Sequence, residues 1–361
     1  MYDNLAKDLN KVQIKEGITA PCIPSSKCIK LKDPLKVNGK IVYAEELSIV
    51  VTEIDYKWID RQYEIEEFEI DKMLIFERGE IPKWMKEQIM KYFEYKCTLK
   101  HSDPKLYLAS KGKLNGIYGM TATSIIRQSL IYNEELILIP KDQDDETELN
   151  KYYRSRNSFL PYQYSLYTTA WARDALLTMI ECVGYENFLY CDTDSVFYIK
   201  TPENEKRLNE YAARCKERAI KAGAYINDNY LGYPTDEDPI TAFRALHAKC
   251  YAMIENGELK VIIAGITKRA TKWINGAPVT MTNAEELGSI DNLQDGFLFK
   301  HNGGTRAIYI EDPARVESIS GHELELASGV IIEPVEKEIN DTMFTVGEDY
   351  ELLHINMYET L

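Results

Sequence analysis

Long apolar runs are missing from this chain. None approaches the ~18 residues of a membrane-spanning helix, although 45% of the side chains are hydrophobic. Residues Met1 to Lys7 hold nothing like the apolar core of a secretory signal. Histidine is scarce, and the five present (His101, His247, His301, His322, His354) are too scattered for imidazole-ligated metal chemistry. The seven cysteines (Cys22, Cys28, Cys97, Cys182, Cys191, Cys215, Cys250) are odd in number and include no Cys-x-x-Cys pair. That argues against a zinc site and for reduced thiols, so a cytoplasmic protein without membrane contact is expected. Positive charge is short too: 43 Lys and Arg against 58 Asp and Glu give a net charge of −15 and a pI near 5.0. The surface as a whole is thus ill-suited to non-specific nucleic-acid binding, which leaves room only for a local basic groove. What remains, 28% charged residues in a chain of 361, is an ordinary soluble composition long enough for two or three domains.

The most informative stretch runs from Tyr185 to Lys200. Phe188-Leu189-Tyr190 and Val196-Phe197-Tyr198-Ile199 flank an acidic centre, Asp192-Thr193-Asp194. Aromatic and β-branched runs on either side of a polar bend predict a hairpin. Residues two apart in extended chain point the same way, so both carboxylates could face one point. Two such carboxylates repel by several kcal/mol in a partly dry site unless a cation lies between them. Hard oxygen ligands favour Mg²⁺ or Mn²⁺. An Asp-Ser bend can also be only a turn. Two other Asp-x-Asp pairs, Asp142/Asp144 and Asp236/Asp238, lie in polar, acidic runs and are expected to be solvated loops.

Elsewhere, Ile41–Ala44 and Leu47–Val51 read as strands, and Pro82 to Phe93 as a helix with proline at its first position. A second helix is expected from about Asp103 to Tyr118. Ser129–Tyr132 and Leu136–Ile139 suggest a hairpin, opening a polar segment up to Phe159 that looks like an insertion. A long helix from about Leu166 to Val183 should stop at Gly184. Asn204 to Ala224 reads as a charged surface helix. Strands return at Lys249–Ile254 and Leu259–Gly265, and the tail beyond residue 311 reads as short strands and loops.

On the second helix, Lys111, Asn115 and Tyr118 follow spacings of four and three and share one face. A cation, an amide and an aromatic ring on one stripe suit a nucleotide, with the ammonium on phosphate and the ring against a base. Gly116 and Gly119 would admit a flat base pair close to the backbone; the plainer alternative is a helix end with Gly119 as its cap.

Together, Lys-x-x-x-Asn-x-x-Tyr-Gly (Lys111–Gly119) and Tyr-x-Asp-Thr-Asp-Ser (Tyr190–Ser195) resemble motifs B and C of family B DNA polymerases. Thr168–Arg173, Lys249-Cys250-Tyr251, Ala264–Lys268 and Asp295-Gly296-Phe297 are similar to segments of the protein-primed branch found in phages and linear plasmids. The resemblance implies an α+β fold: a palm of antiparallel sheet, helical fingers, two insertions and a small thumb. It divides the chain into palm with a first insertion (1–100), fingers (101–120), second insertion (121–160), palm with motif C (161–255), and thumb with a C-terminal extension (256–361). It implies DNA-directed DNA polymerase activity on primer-template DNA and deoxynucleoside triphosphates, in protein-primed replication within the host cytoplasm. Asp194 and Asp192 would hold Mg²⁺ or Mn²⁺. Lys111 would bind the triphosphate, Asn115, Tyr118 and Gly119 would line the nascent base pair, and Lys249, Tyr251 and Thr193 would contact DNA.

The chain departs from that pattern in two ways. Gly116 replaces the serine of motif B. More seriously, motif A, with its catalytic aspartate before Ser-Leu-Tyr-Pro, is not found, nor are the Asp-x-Glu exonuclease motifs. The expectation is a C-terminal polymerase portion with little activity alone, needing a second chain that carries motif A and exonuclease, and a terminal priming protein. The alternatives are a truncated frame, a non-catalytic DNA-binding remnant, or a glycosyltransferase using Asp-x-Asp. The last needs an N-terminal βαβ pattern, which residues 1–100 do not show.

Overall fold

The computed structural model describes residues 2–77, 79–123, 126, 130–132, 138–140, 144–155, 162–319 and 322–339; of these, 2–10, 130–132, 138–140 and 305–334 are described by backbone alone. In chain order the first elements are β1 (Tyr2–Ile14), β2 (Cys28–Lys32), β3 (Leu35–Val37), β4 (Lys40–Val51), α1 (Glu53–Gln62) and β5 (Tyr63–Ile75). Then come α2 (Lys83–Thr98), α3 (Pro104–Thr121), β6 (Leu130–Tyr132), β7 (Leu138–Pro140), α4 (Asp145–Arg154) and α5 (Tyr162–Val183). The hairpin strands β8 (Phe188–Asp192) and β9 (Ser195–Tyr198) follow, then α6 (Pro202–Ala222), β10 (Tyr225–Ile226) and β11 (Asn229–Tyr230). The remainder is β12 (Ile240–His247), β13 (Cys250–Glu255), β14 (Glu258–Ile263), β15 (Arg269–Ile274), β16 (Ala277–Thr282), α7 (Asn283–Leu287), β17 (Leu298–Phe299), β18 (Thr305–Ile319), β19 (His322–Pro334) and β20 (Lys337–Glu338). All pairings among the described residues are antiparallel, so the fold is α+β.

The chain divides into two compact units, residues 1–124 with 156–237 and 348–361, and residues 125–155 with 238–347. In the first unit β1 lies between β4 and β5 in a sheet ordered β2-β4-β1-β5, with β3 also on β4. Val12, Ile41, Ala44, Leu47 and Ile49 of this sheet pack with Ile59 and Tyr63. A second core sets Trp58 of α1 against Leu176, Leu177, Ile180 and Val183 of α5 and against Phe188 and Cys191 of β8. Both clusters form because β4 and the two helices present apolar residues at the period of their own geometry.

The seam between α1 and α5 is laced with polar contacts along its length. Tyr167 donates to Glu53 at 2.9 Å, and the Trp58 indole to Asp174 at 2.9 Å. Arg61 pairs with Glu181 at 2.9 Å, and Gln62 donates to the Tyr185 hydroxyl at 3.2 Å. At its centre Arg173 makes a two-pronged pair with Asp55, Nε at 2.7 Å and Nη2 at 2.8 Å. Burial alone would raise the Asp55 carboxyl, but the guanidinium and the Thr52 bonds outweigh it and hold it below the ordinary range. Gly184, at φ +87°, ends α5 as the sequence predicts.

In the second unit β12-β13-β14 form a three-stranded meander. Cys250, Ala252 and Val261 of its strands pack with Leu287, Leu293, Phe299 and Ile339. Several sequence expectations need correction. Pro82 is the N-cap of α2, not its first residue. α3 runs past Gly119 to Thr121, so Gly119 is not a cap: Asp103 and Pro104 start the helix, but only Ala122 ends it. Asp144 is not an idle loop residue, since it caps α4 by accepting from Thr147 N at 3.1 Å; Asp142 lies outside the described residues. Beyond residue 311 the chain continues two long paired strands, β18 and β19, in place of short ones: the antiparallel ladder runs from Thr305↔Pro334 to Ile319↔His322, with register shifts between Ile310 and Val316. The hairpin expected after Ser129 is present as β6 paired with β7; its bend at Asn133–Glu135 lies outside the described residues.

Candidate active site

The acidic hairpin is built as its sequence suggests, by two strands with a two-residue loop. Asp192 pairs with Ser195, and Cys191 with Val196, leaving Thr193 and Asp194 at the bend. The backbone there is not extended. Thr193 sits at φ +58°, and Asp194 N–H donates to the Asp192 carbonyl at 2.7 Å, closing a three-residue turn. A γ-turn of positive φ is the rarer and more strained kind, and it is unusual for a β-branched residue. The expected strand alternation therefore does not relate the two carboxylates; a tight turn does. Thr193 Oγ1 donates to Asp192 Oδ1 at 3.0 Å, and Ser195 Oγ to the Asp192 carbonyl at 3.0 Å, so side-chain hydroxyls brace the bend. Asp192 is half-buried and Asp194 exposed, while Tyr190 and Cys191 behind them are buried. The carboxylates thus stand at the rim of a rigid core.

α3 belongs to the same unit and packs on α2 and on α5, which itself packs on β9. Lys111 and Asn115 are exposed on it, and Tyr118 is 38% exposed. Lys113 is engaged elsewhere, its ammonium 5.4 Å from the Tyr92 ring centre. Gly112, Gly116 and Gly119 share a second stripe, and a Cβ added at any of them meets nothing within 4 Å. Each costs the helix about 0.5–1 kcal/mol relative to alanine, and no neighbouring protein atom requires it. The strip beside Lys111, Asn115 and Tyr118 is therefore open space.

Lys249 and Tyr251 lie in the second unit. Lys249 is in the bend between β12 and β13, at φ +58°. Tyr251 is 7% exposed, its ring 5.8 Å from that of Phe243.

Two residues were not singled out by sequence reasoning. Arg173, quoted above only as the end of the Thr168–Arg173 segment, is the centre of the α1–α5 seam. Lys40 is 6% exposed. Burial pushes its ammonium down to about 8, against the opposite pull of the Cys22 and Cys191 thiols, and Lys27 and Arg173 add to the depression. Lysine at the start of a strand after Asn38-Gly39 reads as a solvated turn residue, so only packing reveals it.

Among the described residues no group of three or more His, Cys, Asp or Glu side chains could hold a metal ion. The Asp192/Asp194 pair nonetheless fits Mg²⁺ in kind, because that ion often takes one or two carboxylates and completes its shell with water and phosphate. No helix among the described residues is long and apolar enough to cross a membrane, and none of the seven cysteines is in a disulfide.

This fold is similar to that of Phi29 DNA polymerase. A post-translocation binary complex of that enzyme with primer-template DNA matches with a TM-score of 0.57 and 17% identity, over 94% of this chain and 51% of that one. Its ternary complex with primer-template DNA and incoming nucleotide substrates matches with a TM-score of 0.59, at the same identity and coverage. The chain spans about half the length of that polymerase, and at this identity the likeness is one of fold. No protein-family model matches the chain, and no curated protein matches it in sequence.

Proposed function

We propose that this chain is the nucleotide-adding part of a protein-primed family B DNA polymerase, completed by a second chain. The observation that carries the reading is the pairing, within one unit of a polymerase-like fold, of a strained Asp192-Thr193-Asp194 turn with a glycine-stripped helix face bearing Lys111, Asn115 and Tyr118. Lys111 pairs its ammonium with the triphosphate of an incoming deoxynucleotide, a role suited to a compact, exposed charge. Tyr118 and Asn115 line the nascent base pair, which the bare strip at Gly116 and Gly119 admits. Asp194, with Asp192 beside it, would hold Mg²⁺, whose positive charge would ease deprotonation of the primer 3′-hydroxyl and offset the negative charge developing on the pyrophosphate. Thr193 fixes where those carboxylates stand and meets the primer strand. The chain carries no motif A sequence, so the remaining carboxylate has to be supplied from outside these residues.

The antiparallel sheet formed by residues 2–75 counts against a glycosyltransferase, whose nucleotide site needs a βαβ unit. Primer extension with Mg²⁺ and all four deoxynucleotides, with and without a chain carrying the motif A aspartate, tests the proposal. Extension only in the mixture, abolished by Asp194→Ala, is the expected result. DNA bound without extension in any mixture makes the chain a non-catalytic remnant.

A further inference from the structure

The hairpin β15–β16 serves neither the acidic turn nor the α3 face. From Leu259 to Ala284 the chain holds no Asp or Glu, yet it carries Lys260, Lys268, Arg269 and Lys272, in a protein of net charge −15. The two strands meet at Asn275-Gly276, both left-handed at φ +52° and +78°, the geometry of a tight two-residue hairpin. Alternation along the strands sorts the side chains onto two faces. On the inner face the Lys272 ammonium donates to the Lys300 carbonyl, and the His301 ring N–H to the Ala270 carbonyl at 3.0 Å. Glu286 in turn holds His301 N at 2.6 Å and Asn302 N at 2.8 Å. The hairpin is therefore fastened down on one side.

Its outer face carries Arg269, Thr271 and Trp273 opposite Thr282, Thr280 and Pro278; Thr271 and Thr280 share a hydroxyl bond at 2.8 Å. Trp273, next to the bend, is 75% exposed, and Lys268 and Arg269 are exposed at the base. Glu285 lies within electrostatic reach of Arg269, but its carboxylate is occupied as a helix cap, accepting from Thr282 N at 2.7 Å and Oγ1 at 2.9 Å. A bare indole, two hydroxyls and two cations on one anchored ribbon suit a polyanion with flat, unstacked rings. We propose that the outer face of β15–β16 binds single-stranded DNA, with Trp273 stacked on a base and Lys268 and Arg269 on flanking phosphates. A lone tryptophan is too little apolar surface to anchor a membrane, which disfavours the lipid alternative.

Binding of labelled oligodeoxythymidylate, followed by anisotropy across a salt series, tests this without any need for catalysis. Trp273→Ala should weaken binding about 5- to 150-fold, the range for loss of one stacked base, with Trp273→Phe in between. Lys268→Gln with Arg269→Gln should reduce the salt slope by about 1.4, at ~0.7 per phosphate contact on a single strand. Trp84→Ala, an exposed tryptophan on α2, should change nothing. The proposal is overturned if Trp273→Ala binds like wild type, or if Trp84→Ala loses as much. It is equally overturned if Trp273→Ala weakens duplex as much as single strand, or if the hairpin captures anionic vesicles and no oligonucleotide.

Discussion

Breaking the Asp55–Arg173 pair should loosen the support of the acidic hairpin by a predictable amount. The two side chains are 18% and 17% exposed and share two short bonds across the α1–α5 seam. Removing one partner of a buried pair costs about 3–5 kcal/mol, because the other charge is left stranded. The residual exposure here allows some rehydration, so about 2–3 kcal/mol is expected for Asp55→Asn or Arg173→Met. The double variant strands no charge, and it should cost less than the sum of the singles by about 1–3 kcal/mol. Urea unfolding followed by tryptophan emission is the assay. Trp58 is 1% exposed and sits in this seam, whereas Trp84, Trp171 and Trp273 are already 51%, 53% and 75% exposed, so the red shift reports on the seam. The pH dependence provides an internal check. Because the folded Asp55 pKa is depressed, its stabilisation is complete above the unfolded value of ~3.9 and is lost as pH falls through the folded one. Asp55→Asn should therefore flatten the acid limb of the stability curve. Single variants that cost under ~0.5 kcal/mol, the level of an ordinary surface change, or a vanishing coupling between them, would refute the reasoning.

Three further outcomes are expected. Gly116→Ala should stabilise α3 by about 0.5–1 kcal/mol, since its new methyl meets no protein atom, while impairing nucleotide addition; thermal melts and extension assays should move in opposite directions. Lys111→Met should leave stability within ~0.5 kcal/mol and raise the nucleotide concentration for half-maximal extension at least tenfold. Lys40, depressed to about 8, makes the folded state shed its proton before the unfolded one; its contribution to stability should rise between about pH 8 and pH 10. That rise should be absent from Lys40→Met when urea curves of the two proteins are compared at equal pH.

Much of the acidic hairpin was legible in the sequence because aromatic and β-branched runs dictate strands and Asp-Thr-Asp-Ser can only be a bend. What was not legible is the conformation of that bend: a left-handed threonine is set by the pull of two braced strands, not by its own propensity. The helix bearing Lys111 was likewise readable from Asp103-Pro104 at its start and its four-and-three spacing. Its end was not, because glycine at position 119 suggests a stop that tertiary packing overrides. The α1–α5 seam was invisible, since Asp55 and Arg173 lie far apart in sequence and each reads alone as a solvated charge. The buried Lys40 was missed for the same reason.

The central claim is that the acidic turn and the Lys111 helix face serve one nucleotide. Capture of the templated deoxynucleotide by the assembled protein, on a primer-template with a dideoxy-terminated primer and in Mg²⁺, tests it directly. The account predicts preferential retention of the nucleotide complementary to the template, lost in both Lys111→Met and Asp194→Asn. Retention that ignores the template, or that survives both substitutions, would contradict it.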